Sequence, residues 1–156
     1  DLVVLATGFR TTRLFGEMAI KGPGGLTIEE AWAGGIRAHR SVALKDFPNL
    51  FMMYGPNSNL GHSSILVMLE AQAGYLARLF QHARNHDAGR IEVKPEAEAT
   101  WNRYIQNGLA DTVWTADCRS WYKDAAGRIF SLWPYSTRRF ERDLRSAPLD
   151  EYTFSS

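Results

Sequence analysis

The chain has 156 residues, of which 45% are hydrophobic and 22% are charged, and its formal net charge is +1. These values are ordinary for one globular domain. A net charge near zero gives no bulk field for nucleic acid or an anionic membrane, and no apolar run approaches the ~20 residues of a spanning helix. The single cysteine, Cys118, excludes an internal disulfide and a cysteine-based zinc site, and we expect it to be a small buried residue. We therefore expect a cytoplasmic protein with neither nucleic-acid nor membrane partners.

The first segment, residues 1–9, has the sequence Asp-Leu-Val-Val-Leu-Ala-Thr-Gly-Phe. Its apolar, β-branched run at residues 2–5 is typical of a strand buried on both faces of a sheet. Such a strand needs a neighbour on each side. We therefore expect the chain to be a piece of a longer protein, with residues 1–156 forming a portion of a single domain.

The middle of the chain contains a second predicted buried strand and the strongest helix prediction. Residues 50–54 form the strand, and a loop of small residues follows at 55–61. Apolar residues then recur at a spacing near 3.6 from about residue 62 to residue 84, which predicts a long helix. Ser63 or Ser64 can cap the start of that helix.

The last third of the chain mixes short strands and helices. Residues 91–95 predict an edge segment, and Pro95 suits the first turn of a helix that runs to about Asn107. Residues 112–115, 120–123 and 128–133 alternate like strands, with a hairpin turn at 124–127, and residues 137–145 predict a terminal helix. The sequence thus predicts an α/β fold with short buried strands, one long helix and a C-terminal β-hairpin.

The strand, small-residue loop and long helix between residues 50 and 84 form a β–turn–α unit. Ligands bind at the carboxyl ends of strands in open α/β sheets, and a helix N-terminus favours negative charge. This unit therefore suits an anion, or a ring edge that carries partial negative charge. Taken alone, the pattern is more typical of a simple connection than of a ligand site.

Several motifs occur together in one order along the chain. They are Ala6-Thr7-Gly8, Trp32-x-x-Gly35, Phe47-Pro-Asn-Leu-Phe51, Tyr54-Gly-Pro-Asn57, Asn59-Leu-Gly-His-Ser-Ser64, Glu70-Ala-Gln72, Cys118-x-Ser-Trp-Tyr122 and Leu132-Trp-Pro134. This set resembles Baeyer–Villiger-type flavin monooxygenases, in particular their 4-hydroxyacetophenone monooxygenase-like branch. The resemblance implies that the chain is the C-terminal portion of the FAD-binding domain of a two-dinucleotide-binding-domain flavoprotein.

The resemblance also implies cofactor-binding positions. In that family the Gly-Pro loop and the start of the next helix lie against the isoalloxazine ring. The implied flavin-side residues are Ala6, Thr7, Gly8, Gly55, Asn57, His62, Ser63 and Ser64. Trp121 matches a tryptophan in a mobile segment that folds over the nicotinamide cofactor, although a buried structural tryptophan is an equal alternative. His39-Arg40-Ser41 departs from the family pattern, which leaves the path of that segment open.

The resemblance implies an enzyme that depends on FAD and NADPH. In it, NADPH reduces the flavin, O₂ adds, and the flavin peroxide inserts oxygen next to the carbonyl of a small-molecule ketone. No catalytic residue of this step is assigned to the chain, which is expected to be inactive on its own. Two alternatives stay open, namely a flavoprotein that oxygenates nitrogen or sulfur and a non-catalytic α/β interaction module.

Two features of the sequence limit what the chain does by itself. It contains no Gly-x-Gly-x-x-Gly motif, so the phosphate-binding fingerprints for FAD and NADPH are absent and the chain alone is not expected to bind either cofactor. His82 and His86 are four residues apart, but no third ligand accompanies them, so we expect no metal site. Because the predicted inner strands lack neighbours, the chain is expected to self-associate.

Overall fold

The computed structural model describes residues 1–8, 10–116 and 120–156. Its helices are α1 (Ile28–Ala31), α2 (Ile65–Asn85), α3 (Pro95–Leu109) and α4 (Thr137–Arg145), and its strands are β1 (Arg90–Val93) and β2 (Tyr152–Ser155). Short 3₁₀ turns lie at Pro23–Gly25, Val113–Thr115 and Leu149–Glu151. The prediction for Cys118 lies outside the described residues. In the part of the chain that the structure describes, no helix is long and apolar enough to cross a membrane.

The two long helices begin where the sequence predicted. The Ser64 side chain accepts a hydrogen bond from the backbone N–H of Leu66 at 3.2 Å, which caps α2. Pro95 occupies the first turn of α3, where the missing N–H of proline costs no intrahelical bond. The helix α2 packs against α4, and Phe140 and Leu144 of α4 are fully buried there. The predictions of all three helices are confirmed.

A two-stranded antiparallel sheet pairs β1 with β2, with Arg90 opposite Ser155 and Val93 opposite Tyr152. The edge segment predicted at residues 91–95 is therefore a strand, whereas its partner β2 was not predicted. Together with the helices, this sheet confirms the α/β class.

The strands predicted at residues 2–5, 50–54 and 112–115 are not formed. Residues 2–5 are coil, and their side chains are 75–88% exposed, because no described strand lies beside them. Residues 50–54 form only one bridge, between Phe51 and Ala43, and are not a buried strand. Residues 113–115 form a 3₁₀ turn. The C-terminal hairpin turns at residues 124–127 as predicted, but a single bridge between Lys123 and Ile129 replaces a regular ladder.

Residues 36–47 connect the two hydrophobic clusters of the fold. Val42 and Ala43 belong to the larger cluster around α2, α3 and α4, whereas Leu44 and Phe47 belong to a smaller cluster with Trp32. The path of this segment, which the sequence left open, therefore crosses the centre of the fold.

Buried charged groups hold that segment in place. The Arg40 guanidinium donates to both carboxylate oxygens of Glu151, at 2.6 and 2.7 Å, and to the backbone carbonyl of Asp143 at 2.9 Å. The imidazole Nε2 of His39 lies 3.0 Å from the same carboxylate. On the neighbouring side, the Glu98 carboxylate accepts hydrogen bonds from the Arg37 side chain and the Lys45 backbone N–H. These polar contacts replace the regular strand pairing that the segment lacks.

Candidate functional site

A cavity of about 230 Å³ lies between the Gly-Pro loop and the hairpin at residues 120–131. Its walls are mainly apolar and include Leu14, Tyr54, Gly55, Pro56, Trp121 and Phe130. Hydroxyl-bearing residues, Thr11 and Ser58 among them, supply a few polar groups. Apolar walls with a small number of polar groups are typical of small-molecule sites.

The Gly-Pro loop has an unusual backbone where it borders this cavity. Tyr54 and Asn57 have φ angles of 56° and 60°, in the left-handed region that side-chain-bearing residues seldom adopt. A Cβ at Gly55 would collide with the backbone carbonyl of Ser41 and lie 2.8 Å from the Met52 side chain. Only glycine fits at this position without a shift of the backbone. Such local strain is concentrated at functional sites in proteins.

Asn57 joins this loop to the hairpin. Its side chain is buried, and its amide Nδ2 donates to the carbonyl oxygens of Ile129 and Leu132 at 3.0 and 2.9 Å. Its backbone N–H donates to the Phe130 carbonyl at 2.6 Å. Because both amide protons are used within the protein, the structure gives Asn57 the role of holding the cavity walls together.

Trp121 lies on the opposite wall and is 55% exposed. Its backbone carbonyl accepts a hydrogen bond from the Thr11 hydroxyl at 2.8 Å, and its ring packs edge-on against Tyr122. Trp121 is therefore not buried within this chain, and its contact with the nicotinamide cofactor stays a prediction. Its exposed indole leaves a large apolar surface available at the rim of the cavity.

The predicted site residues do not all meet at this cavity. Gly55 and Trp121 line it, and Asn57 lies behind the loop. The Ala6-Thr7-Gly8 segment is exposed coil and does not line the cavity, and the same holds for His62 and Ser63. Ser64 caps α2. The flavin-side assignment of these residues stays a prediction.

Sequence reasoning gave no site role to three residues of this region, although Gln72 belongs to the Glu70-Ala-Gln72 motif. Leu14 and Phe130 line the cavity, but neither belongs to a motif that points to a ligand. Gln72 is fully buried on α2 and donates and accepts hydrogen bonds next to the loop. Besides that motif, the signal was a polar residue on the otherwise apolar face of a predicted helix, because buried amides require partners.

Two further observations concern the Tyr54 hydroxyl and metal binding. Burial raises the pKa of the Tyr54 phenol, whose hydroxyl donates to the Asn59 side chain at 2.7 Å. Among the described residues, no group of three or more His, Cys, Asp or Glu side chains is arranged to hold a metal ion.

Comparisons with known proteins identify relatives over almost the whole chain. The chain is 38% identical over 149 residues to the FAD-binding monooxygenase ktnD of Aspergillus niger, covering 92% of this chain and 24% of that protein. It is 39% identical over 155 residues to a Baeyer-Villiger monooxygenase of Streptomyces coelicolor, covering 97% of this chain and 30% of that protein. The chain thus spans less than a third of the length of these relatives. No protein-family model matches it.

The fold is also present in solved structures. An oxidized steroid monooxygenase bound to NADP matches 88% of this chain with a TM-score of 0.75, and the match covers 26% of that enzyme. The sequence identity is 24%, so this likeness concerns the fold alone.

Proposed function

We propose that this chain forms part of an active-site wall in a Baeyer–Villiger-type flavin monooxygenase. Along nearly its whole length, the chain is homologous to one segment of such enzymes. The reaction is the insertion of one oxygen atom from O₂ next to the carbonyl of a small ketone, with FAD and NADPH as cofactors. The observation that carries the proposal is the apolar cavity between Gly55 and Trp121, because both residues belong to motifs typical of that family.

The residues at the cavity fit one side of a flat aromatic ring system. Trp121 and Phe130 offer apolar surface, and Gly55 contributes backbone without a side chain. At about 230 Å³ the cavity is smaller than the ~300–1,000 Å³ of typical ligand pockets, and it cannot enclose a dinucleotide. The chain therefore supplies one part of the site, and the glycine-rich grip on the phosphates has to come from elsewhere in the enzyme. When bound, FAD reduced by NADPH supplies the electrons and the activation of O₂.

The chain's own residues shape the space beside the reacting atoms. Leu14, Trp121 and Phe130 form the apolar side of the cavity, and a ring or substrate packed against them is shielded from water, which strengthens electrostatic interactions there. The Tyr54 phenol is protonated at neutral pH like any tyrosine, burial raises its pKa further, and its hydroxyl donates to Asn59. Asn57 keeps the two walls at a fixed separation through its bonds to residues 129–132.

The two alternatives are less well supported. The names of the relatives favour oxygenation next to a ketone over oxygenation of nitrogen or sulfur, and they do not favour a non-catalytic interaction module. The 4-hydroxyacetophenone monooxygenase-like branch stays a prediction. A cytoplasmic location is part of the proposal, supported by the ordinary composition and the single cysteine.

The test uses the intact enzyme that contains this chain, supplied with NADPH, a panel of ketones and ¹⁸O₂. We expect ester or lactone products that carry one ¹⁸O atom, identified by mass spectrometry. Amines and sulfides serve as competing substrates. If only amines or sulfides are oxygenated, or if the enzyme contains no flavin, the proposal is wrong.

A matched pair of tryptophan variants tests the cavity itself. Trp121 and Trp114 are both partly exposed and both pack edge-on against Tyr122, but only Trp121 lines the cavity. We expect Trp121→Ala to lower kcat/KM for the ketone by roughly tenfold, the size of one lost aromatic contact, and Trp114→Ala to leave it nearly unchanged. Equal effects of the two substitutions would contradict the assignment of this cavity.

A further inference from the structure

Gln72 is a fully buried amide within the apolar face of α2. It lies on the same side of the helix as Met68, Tyr75 and Leu79, which are buried core residues. An amide transferred to such a place without partners is costly, so its hydrogen bonds have to account for its presence. Its Oε1 accepts from the backbone N–H of Tyr54 at 3.0 Å, and its Nε2 donates to the backbone carbonyl of Ser41 at 3.2 Å.

The two backbone groups that Gln72 binds belong to a tightly constrained crossing in the fold. Tyr54 and Ser41 both have positive φ angles, of 56° and 61°. The same Ser41 carbonyl approaches Gly55 so closely that a Cβ there would collide with it. One side-chain amide therefore bridges both backbones at the point where they pass each other.

This bridge connects a rigid helix to a wall of the cavity. Tyr54, Gly55 and Pro56 line the cavity, whereas Gln72 is not among its lining residues. Gln72 therefore acts on the cavity through the Tyr54 backbone. We propose that Gln72 is a positioning residue that sets where the Gly-Pro loop stands relative to the reacting groups, and this inference rests on the proposed function.

The chemistry of the bridge determines which substitutions preserve it. The position requires one acceptor and one donor on the same planar group, and an amide provides both. A buried glutamic acid is driven toward its protonated form and then also provides both. Methionine keeps a similar volume but has no donor and only a weak acceptor. Gln72→Glu is therefore the conservative variant, and Gln72→Met removes the bridge.

The experiment measures amide hydrogen exchange in the intact enzyme and compares two peptides, one from residues 50–60 and one from α3. We expect Gln72→Met to speed exchange in the loop peptide by roughly tenfold, since it removes a hydrogen bond that restrains the loop, while α3 stays as protected as before. In Gln72→Glu, the loop peptide should exchange at a rate closer to that of the unsubstituted enzyme. Gln81→Met is the control on the same helix, because Gln81 is exposed and its side chain pairs with Asn85 and Arg84 of that helix.

A second measurement is the yield of oxygenated product per NADPH consumed. A displaced loop should lower this yield in Gln72→Met, with partial recovery in Gln72→Glu and no change in Gln81→Met. Unchanged loop exchange overturns the inference, as does a loosened loop with an unchanged yield. If Gln72→Met does not fold, Gln72→Asn takes its place in the same two readings, because its amide is one methylene shorter and cannot reach both backbone groups. If the unsubstituted enzyme oxygenates no ketone, the proposed function fails, and the exchange data still decide whether Gln72 holds the loop.

Discussion

Arg40 and Glu151 form a two-point ion pair across 111 positions of the sequence, with N–O distances of 2.6 and 2.7 Å. The Arg40 side chain is 9% exposed and lies 5.1 Å from the centre of the Trp101 ring. The Arg40 guanidinium has thus lost most of its hydration, and its hydrogen bonds to Glu151 and to the Asp143 carbonyl compensate for the lost contacts with water. The pair fastens the central segment to the turn that precedes β2.

Replacing Arg40 with methionine should destabilise the fold by about 3 kcal/mol. The substitution keeps apolar volume but leaves Glu151 without its main partner, and breaking a buried pair from one side typically costs ~3–5 kcal/mol. Urea unfolding followed by tryptophan fluorescence measures the change. The control is Arg145→Met, because the Arg145–Glu141 pair has side chains 77% and 43% exposed and should contribute less than about 1 kcal/mol. Equal losses in the two variants would rule out a special role for the buried pair.

The same pair predicts a loss of stability in acid. Burial alone would raise the pKa of Glu151, but hydrogen bonds from His39 and Arg40 outweigh burial and lower it from 4.5 to about 2. A carboxyl with a depressed folded-state pKa stabilises the fold above its unfolded pKa, and this contribution is lost as pH falls from about 4.5 toward about 2.

Unfolding free energies measured from pH 7 to pH 2 test this window. Glu151→Gln should reduce the acid dependence between about pH 4.5 and about pH 2 by the contribution of this carboxyl. Burial lowers the pKa of His39 from 6.5, despite the opposing bond to Glu151, so His39 adds a separate loss that begins as pH falls below 6.5. An unchanged profile in Glu151→Gln would show that the carboxyl is not the responsible group.

Gly55→Ala should displace the Gly-Pro loop and destabilise the protein by about 1–3 kcal/mol, the usual cost of overpacking. The added Cβ collides with backbone, which cannot rotate aside as a side chain can. Gly61→Ala is the matched control in the same loop, because a Cβ there has no atom within 4 Å. Chemical unfolding gives the free energies, and acrylamide quenching of tryptophan fluorescence reports on the cavity. Equal stability of the two variants would contradict the close approach of Ser41.

The chain by itself should purify without FAD and bind it only weakly. Pyrophosphate held at a glycine-rich helix start supplies much of the anchorage of a dinucleotide, and this sequence lacks that motif. Titration of FAD against the purified chain, followed by flavin fluorescence, measures the affinity. A micromolar or tighter complex would be inconsistent with a chain that supplies only one wall of the site.

We also expect the purified chain to self-associate. Residues 2–5 are apolar and 75–88% exposed, and Met18 and Val113 are exposed as well. Large exposed apolar surface favours association with another copy. Light scattering across a dilution series is the test, and Val3→Ser with Val4→Ser should shift the equilibrium toward the monomer. A strict monomer at tens of micromolar would show that this surface does not drive association.

Caps and apolar periodicity in the sequence predicted the elements whose formation depends on residues close together in the chain. The helix α2 has a serine cap and a regular apolar face, and α3 begins at Pro95, so both were found from the sequence. The strand β2 was missed because its formation depends on pairing with β1, about 60 residues earlier, and four residues carry little periodicity. Residues 2–5 were assigned to a strand because apolar composition reports a tendency to be buried and does not reveal whether a partner is near.

The residues of the candidate site divide in the same way, into those found from sequence motifs and those whose role depends on contacts in the folded chain. Gly55 and Trp121 were found through motifs. The role of Gln72 depends on two backbone groups, at Ser41 and Tyr54, that come together only in the folded chain. The Arg40–Glu151 pair was missed for the same reason, since each residue is charged and would ordinarily be assigned to the surface.

The long separation between Arg40 and Glu151 has a consequence for synthesis on the ribosome. The segment around residue 40 emerges from the exit tunnel more than a hundred residues before its partner carboxylate. At ~5–20 residues per second, the newly made segment waits for many seconds with an unpaired arginine and neighbouring apolar residues exposed. Final packing of this region therefore waits until Glu151 has been made, and during that interval its exposed apolar surface favours association with other chains.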